Sequence, residues 1–468
     1  MTLKAGYLWL LLSLAGCALG PDYRKPKPVV PDRWQAERDA GSELKPITPA
    51  ALKAWWKQFG DIRLDRLMEL ALAGNMELKM ALTRIDQARA DRRSTRAELF
   101  PQVGVKADAQ RNLNLSPIYS RGLTFNLFEL GFDALWEVDV FGRQQRKLEA
   151  AGADLEAAEE AHAQALVTLT AELVRGYVEY RSLQNQLHIT RANLKAQQHT
   201  QQLTEKLFNE GAGTRHDIVR ARAQAENTEA EIPALEGQMI AALRQLEMLA
   251  GKHPGALAAD LAEPGAVPTA PRQALLASPA ATIRHRPDLV IAERRLAAAT
   301  AIHGAAIAEL FPKISLSAFL GFRNTDIESL FKTAAFSYST GANLLQPLLN
   351  FGRIRAGIDL AEARQQEAYL AYEKAVFEAL GETETALTRY LKEEVRRQTL
   401  GRAAADQRES VRLSRLRYQE GVISFLDVLD AQRALYAAEI ELARSQAKAS
   451  TNLIAFYKAL GGGASVPD

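Results

Sequence analysis

One cysteine, Cys17, occurs in 468 residues, so no intrachain disulfide can form and the chain must be stabilised without one. An excess of either charge is also missing. With 58 basic and 56 acidic residues the formal net charge is +2, which argues against a nucleic-acid binder with a dedicated basic face. The seven histidines, His162, His188, His199, His216, His253, His285 and His303, form no H-x-x-x-H or H-E-x-x-H pattern, so no catalytic metal site is visible. No glycine-rich phosphate loop precedes a helix, and any nucleotide-driven engine must be another protein. Proline is absent from residues 143 to 209, where glycine is also sparse. These absences leave little room for an enzyme.

What is present begins at the N-terminus. Lys4 precedes an apolar run, Ala5 to Gly16, that is too short to span a bilayer and reads as a secretory signal peptide over 1–16. The run ends in Leu14-Ala15-Gly16-Cys17, which resembles the bacterial lipobox. That resemblance implies cleavage before Cys17, with N-palmitoyl and S-diacylglycerol groups added to it. Ala18 follows instead of the aspartate that retains lipoproteins in the inner membrane, so the resemblance points to the outer membrane. Residues 17–60 are expected to be a lipidated, extended segment.

The chain repeats itself. Ala97-Glu98-Leu99-Phe100-Pro101 recurs as Ala308-Glu309-Leu310-Phe311-Pro312, Phe141-Gly142-Arg143 as Phe351-Gly352-Arg353, and Glu210-Gly211 as Glu420-Gly421, all displaced by 210 or 211 positions. Leu249-Ala250-Gly251 returns as Leu460-Gly461 after a slip of one. Each half, 61–251 and 282–461, therefore reads helix, strand, strand, long helix, turn, long helix. A linker rich in Pro, Ala and Gly, 252–281, separates them, and 462–468 is a tail.

Side-chain alternation places strands at about 100–112, 121–140, 311–323 and 334–348. Val103, Val105, Ala107 and Ala109 alternate with Gly104, Lys106, Asp108 and Gln110, and Ile314, Leu316, Ala318, Leu320 and Phe322 repeat the pattern with Phe319 as an exception. In the second strand Leu135 alone breaks the series from Leu130 to Val140, and Thr340 interrupts the fourth. Two hairpins leave unpaired edges, which closure between copies would remove in lipid. The expectation is a transmembrane β-barrel shared by two or three chains.

Long helices are expected at about 143–209, 214–250, 353–419 and 424–460. Leu166, Leu173, Tyr180, Leu187 and Leu194 fall seven apart, as in a coiled-coil seam, and Val376, Thr383 and Tyr390 occupy equivalent places. A helix over 143–209 would extend about 100 Å, more than a globular core needs. Gly211 and Gly421 suit left-handed C-terminal caps, and Thr214 with Asp217 and Ser424 with Asp427 read as capping boxes that open the return helices. Pro233 predicts a kink or break in the first return helix. Met68, Met76 and Met80, at helical spacing, read as gap-fillers of a helical core.

The lipobox, the repeated Phe-Pro strand start, Arg286-Pro287-Asp288-Leu289, and Arg417-Tyr418-Gln419-Glu420-Gly421 with Leu426-Asp427-Val428-Leu429-Asp430-Ala431-Gln432 together resemble the TolC-like outer-membrane factor family. The similarity covers nearly the whole mature chain and is nearest the lipoprotein branch that serves tripartite resistance-nodulation-division efflux systems. It implies a mainly α fold: a coiled-coil α-barrel continued by a twelve-stranded β-barrel, both built by a homotrimer. It implies an outer-membrane exit duct that passes small molecules from an inner-membrane pump and periplasmic adaptor, without chemistry of its own and without nucleic acid. Type I protein secretion uses the same fold and is the alternative; a non-pore coiled-coil lipoprotein is another. By position, Leu426, Asp430 and Arg433 match the family's periplasmic aperture. Arg433 is one turn from Asp430 and could pair with it, as an aperture element or as an ordinary exposed i,i+3 pair. The tips Gly211, Thr214, Gly421 and Ser424 would meet the adaptor.

Overall fold

The computed structural model describes residues 18–40, 44–114, 123–269 and 274–465. Cys17 and the signal peptide lie outside them. The elements in chain order are α1 (Gln35–Ala40), β1 (Leu44–Pro46), α2 (Pro49–Lys53), α3 (Ile62–Gly74), α4 (Met76–Ala97), β2 (Gln102–Asn114) and β3 (Leu123–Val138). They continue with α5 (Arg143–Asn209), α6 (Arg215–Leu249), α7 (Ala258–Ala262), β4 (Ala274–Leu276), α8 (Pro279–His285) and α9 (Pro287–Ala308). The last are β5 (Lys313–Asn324), β6 (Phe336–Leu345), α10 (Arg353–Gln419) and α11 (Phe425–Ala459). Residues group into two compact units. One takes in parts of 1–27 with Thr83–Glu159 and Ile291–Lys374; the other Pro28–Leu82, Glu160–Val290 and the chain from Ala375 on.

The first unit is organised by an antiparallel sheet of order β2-β3-β5-β6. Register places Val105, Phe132, Leu320 and Tyr338 in line on one face, and Lys106, Gly131, Gly321 and Ser337 in line on the other. All four strands thus share one apolar face, much of it exposed, Val103, Phe132, Tyr338 and Leu344 included. On the polar face Lys106 (2.9 Å) and Arg323 (2.6 Å) both bind the buried Glu129. Phe319, the exception in its strand, is buried on that face for a reason. Gly131 faces Gly321, and a Cβ on either would meet the Phe319 ring at 2.9–3.0 Å as well as opposing backbone. The aromatic ring fills the space that two side chains vacate.

The twelve-stranded barrel is not found. The described strands form an open sheet of four in which β2 and β6 are the outer strands, and the transmembrane β-barrel expectation is corrected to an open antiparallel sheet within a mainly helical chain. Alternation reports that a strand has two unlike faces; closure depends on how outer strands pair, which alternation does not encode. No helix among the described residues is long and apolar enough to cross a membrane.

The second unit is helical, with a short parallel pair, β1 on β4, at its side. Of the seven-residue seam, Leu166, Leu173, Tyr180 and Leu187 on α5 and Val376, Thr383 and Tyr390 on α10 are buried here, and Leu194 is half-buried. Trp34, Trp55, Tyr177, Phe456 and Tyr457 complete the core, with Trp55 and Tyr457 at 5.4 Å. Two expectations are narrowed. Helix α6 runs unbroken through Pro233, which is exposed, so the Glu229 carbonyl deprived of its N–H partner can bind water. Met68 is buried in the core, whereas Met76 and Met80 are exposed, because α4 turns their face outward.

Candidate functional site

Two α-hairpins, α5–α6 and α10–α11, make their turns within the second unit and by the same device. Gly211 has φ +77° and Gly421 φ +70°, a backbone state that costs a side-chain-bearing residue about 1–2 kcal/mol. Before each turn the helix closes in a Schellman arrangement. Ala212 N–H donates to the Leu207 carbonyl (2.8 Å) and Gly211 N–H to Phe208 (3.0 Å); Val422 N–H donates to Arg417 (2.9 Å) and Gly421 N–H to Tyr418 (3.0 Å). The return helices open on capping side chains. The Thr214 hydroxyl donates to Asp217 Oδ2 at 2.7 Å while Asp217 N–H returns to Thr214 Oγ1 at 3.2 Å. At the second tip the Ser424 hydroxyl (2.7 Å) and N–H (2.9 Å) both donate to Asp427 Oδ2. Those Ser424 contacts hold the Asp427 carboxyl below its ordinary value.

Near the tips the hairpins pack together through Ala221 of α6 and Phe425 and Leu429 of α11, with Tyr418 beside Phe425 at 5.8 Å. Burying positions 425 and 429 dictates what remains outside. Leu426, Asp430 and Arg433, spaced i, i+4, i+7, form an exposed stripe along α11, with Leu426 44% exposed. Asp430 makes no hydrogen bond or ion pair among the described residues. Arg433 does not pair with it. Its Nε donates instead to Gln224 Oε1 of α6 at 2.6 Å. The i,i+3 pairing considered from sequence is therefore replaced by a bond between helices.

Residues that sequence reasoning passed over complete the region. Gln432, buried, donates to Thr200 of α5 at 2.9 Å, and the Tyr436 hydroxyl donates to Glu231 of α6 at 2.5 Å. Burial and that carboxylate push the Tyr436 phenol up to about 12. No motif marks Gln224, Thr200 or Glu231, since each is an ordinary polar residue until the helices are brought together. The Arg286-Pro287-Asp288 segment is a structural clasp. Arg286 donates through Nε (3.0 Å) and Nη2 (2.6 Å) to Asp288, and also to Glu382 (2.9 Å) and the Ala459 carbonyl (2.9 Å).

Among the described residues no cluster of His, Cys, Asp and Glu could hold a metal ion. Comparison with known proteins then decides the family. The sequence profile described as "Outer membrane efflux protein" matches residues 67–252 and again 279–462, once per half. The chain belongs to this family. The nodulation protein T of Rhizobium leguminosarum bv. trifolii is 31% identical to this efflux protein over 434 residues, 93% of this chain and 92% of that protein. The cation efflux system protein CusC of Escherichia coli K12 is 30% identical over 455 residues, 97% of each. Among solved structures, the outer-membrane channel OprN superposes with a TM-score of 0.90 at 35% identity, covering 96% of this chain and 100% of that one. This efflux protein is an outer-membrane channel, the exit duct of a tripartite efflux system, and it is not an enzyme.

Proposed function

We propose that this efflux protein works as a homotrimer, held in the outer membrane by N-palmitoyl and S-diacylglycerol groups on Cys17. It receives small molecules from an inner-membrane pump through a periplasmic adaptor that docks on the tips at Gly211, Thr214, Gly421 and Ser424. The stripe of Leu426, Asp430 and Arg433 lines its periplasmic aperture. The observation that supports this reading is the unpaired, exposed Asp430 beside exposed Leu426 on a helix whose opposite face is packed. Carboxylates from several copies around one opening attract cations and repel one another. Relatives whose names denote efflux of cations support small-molecule export over protein secretion.

Single-channel conductance in planar bilayers tests the aperture. Asp430→Ala is expected to lower cation preference, and Arg433→Ala, which frees α11 from Gln224, to raise the open fraction. Pores indifferent to both substitutions would remove these residues from the aperture. For the anchor, metabolic labelling with an alkynyl palmitate should mark the wild type and not Cys17→Ser. Equal labelling of both would exclude Cys17.

A further inference from the structure

Within the second unit a cavity of about 430 Å³ lies between α5, α10 and α11, a volume in the range of small-molecule sites. On α10, Arg408, Arg412 and Arg415, spaced i, i+4, i+7, present one face to it. The internal repeat does not require them. At the equivalent positions of the first half stand Gln198, Gln202 and Glu205.

Two of the three arginines are already satisfied. Arg408 donates through Nε to Glu439 of α11 at 2.8 Å, and Arg412 grips Glu409 through Nε (2.8 Å) and Nη2 (2.7 Å). Arg415 makes no hydrogen bond or ion pair among the described residues, and its Nε is shut off from solvent. Burial pushes its guanidinium below the ordinary value, yet an arginine stays charged at neutral pH. On the α5 wall, Asn193 Nδ2 is also buried and without a partner among the described residues. One turn farther along α5, Gln197 is 2% exposed with neither amide atom partnered. Buried donors left unmet are costly, a charged one most of all, so this convergence marks where an acceptor belongs.

Charge and shape narrow that acceptor. The uncompensated Arg415 calls for one negative charge, and the Glu439 carboxylate in the lining opposes a second. Ala196, Val411 and Leu435 supply apolar wall, which an ion hydrated on every side, such as phosphate, would leave unused. We propose that the cavity binds an organic monocarboxylate, its carboxylate between the Arg415 guanidinium and the Asn193 amide and its apolar body against Ala196, Val411 and Leu435. Hydrogen bonds from a guanidinium to a carboxylate are among the strong ones, and a desolvated site strengthens them further. A ligand so held ties α5 of the first hairpin to α10 of the second.

Fluorine NMR of para-fluorobenzoate with the full chain in a nonionic detergent tests the site. The wild type should broaden the fluorine line; unlabelled benzoate should reverse the broadening, and inorganic phosphate at matched ionic strength should not. Arg415→Gln should weaken binding about tenfold, and Glu439→Gln, which removes the opposing carboxylate, should tighten it. Ala196→Leu leaves every charge in place, fills the cavity and should abolish binding. Circular dichroism checks that each variant is folded, and if one of Arg415→Gln and Ala196→Leu loses its helical signal the other decides. Broadening that survives these two substitutions in folded protein would come from the micelle or another place and would overturn the site. Displacement by phosphate would overturn the monocarboxylate assignment, and a wild type that causes no broadening would overturn both. None of these variants touches Leu426, Asp430 or Arg433, so failure here leaves the proposed aperture standing.

Discussion

Glu247, on the last turns of α6, offers a sharp test of how the linker is held. Its side chain is 1% exposed, accepts from Gly255 N–H at 2.9 Å and Leu257 N–H at 3.0 Å, and pairs with Arg244. Glu247→Leu would strand these groups unequally. Leu257 N–H is buried and would lose its partner outright, whereas Gly255 is exposed and Arg244 partly so, and both can turn to water. The cost should therefore be about 2–3 kcal/mol, below the ~3–5 expected for a fully buried ion pair broken on one side. Glu247→Gln keeps an acceptor and should lose about 1 kcal/mol. The pH dependence has a definite sign. Burial pushes the Glu247 carboxyl up, but the Leu257 and Gly255 N–H groups and Arg244 outweigh it and hold the group below its ordinary 4.5. With a lowered folded value, its stabilisation is complete above about 4.5 and disappears as pH falls through that lowered value. Urea unfolding in detergent from pH 7 to pH 3 should show a wild-type advantage over Glu247→Leu that is flat and then shrinks in acid. Equal stability at pH 7, or an advantage that grows in acid, would refute the reasoning.

Other substitutions probe the sheet, the tips and the clasp. Gly131→Val should prevent assembly of the four-stranded sheet, because a Cβ there lies 2.6 Å from the Leu320 carbonyl; retention of full strand signal by circular dichroism would contradict this. Thr214→Ala and Ser424→Ala should each cost about 1 kcal/mol and speed tryptic cleavage at the corresponding hairpin, with no effect on the sheet. Arg286→Ala should cost about 2 kcal/mol in thermal unfolding, and Arg286→Lys should restore little, since Asp288 is gripped by two guanidinium nitrogens.

Much of the helical architecture could be read from periodicity alone. Leu166, Leu173, Tyr180 and Leu187 are buried where a seven-residue spacing puts them, because such a repeat keeps one face of a long helix against a neighbour. Gly211 and Gly421 announce left-handed turns, a purely local property of the backbone. What periodicity missed depends on groups distant in sequence. Arg433 chooses Gln224, 209 positions away, over its own-helix neighbour Asp430. The exposure of Met76 and Met80 depends on which face of α4 the rest of the chain leaves open, and the passage of α6 through Pro233 on the water available to one carbonyl. The expected barrel shows the same limit, as unlike faces in β2, β3, β5 and β6 specify a two-sided sheet and leave its edges undetermined.

The bond from Arg433 to Gln224 has an electrical consequence. An amide is neutral, so it orients the guanidinium without cancelling its charge. Asp430, nearer the Ser424 turn, keeps its own charge uncompensated. The exposed stripe of α11 is consequently a fixed dipole, negative toward the hairpin turn and positive one turn farther along. An ion moving past it from the turn meets attraction and then repulsion if it is a cation, and the reverse if it is an anion. A ring of such stripes would present both signs of charge in succession while carrying no net charge of its own.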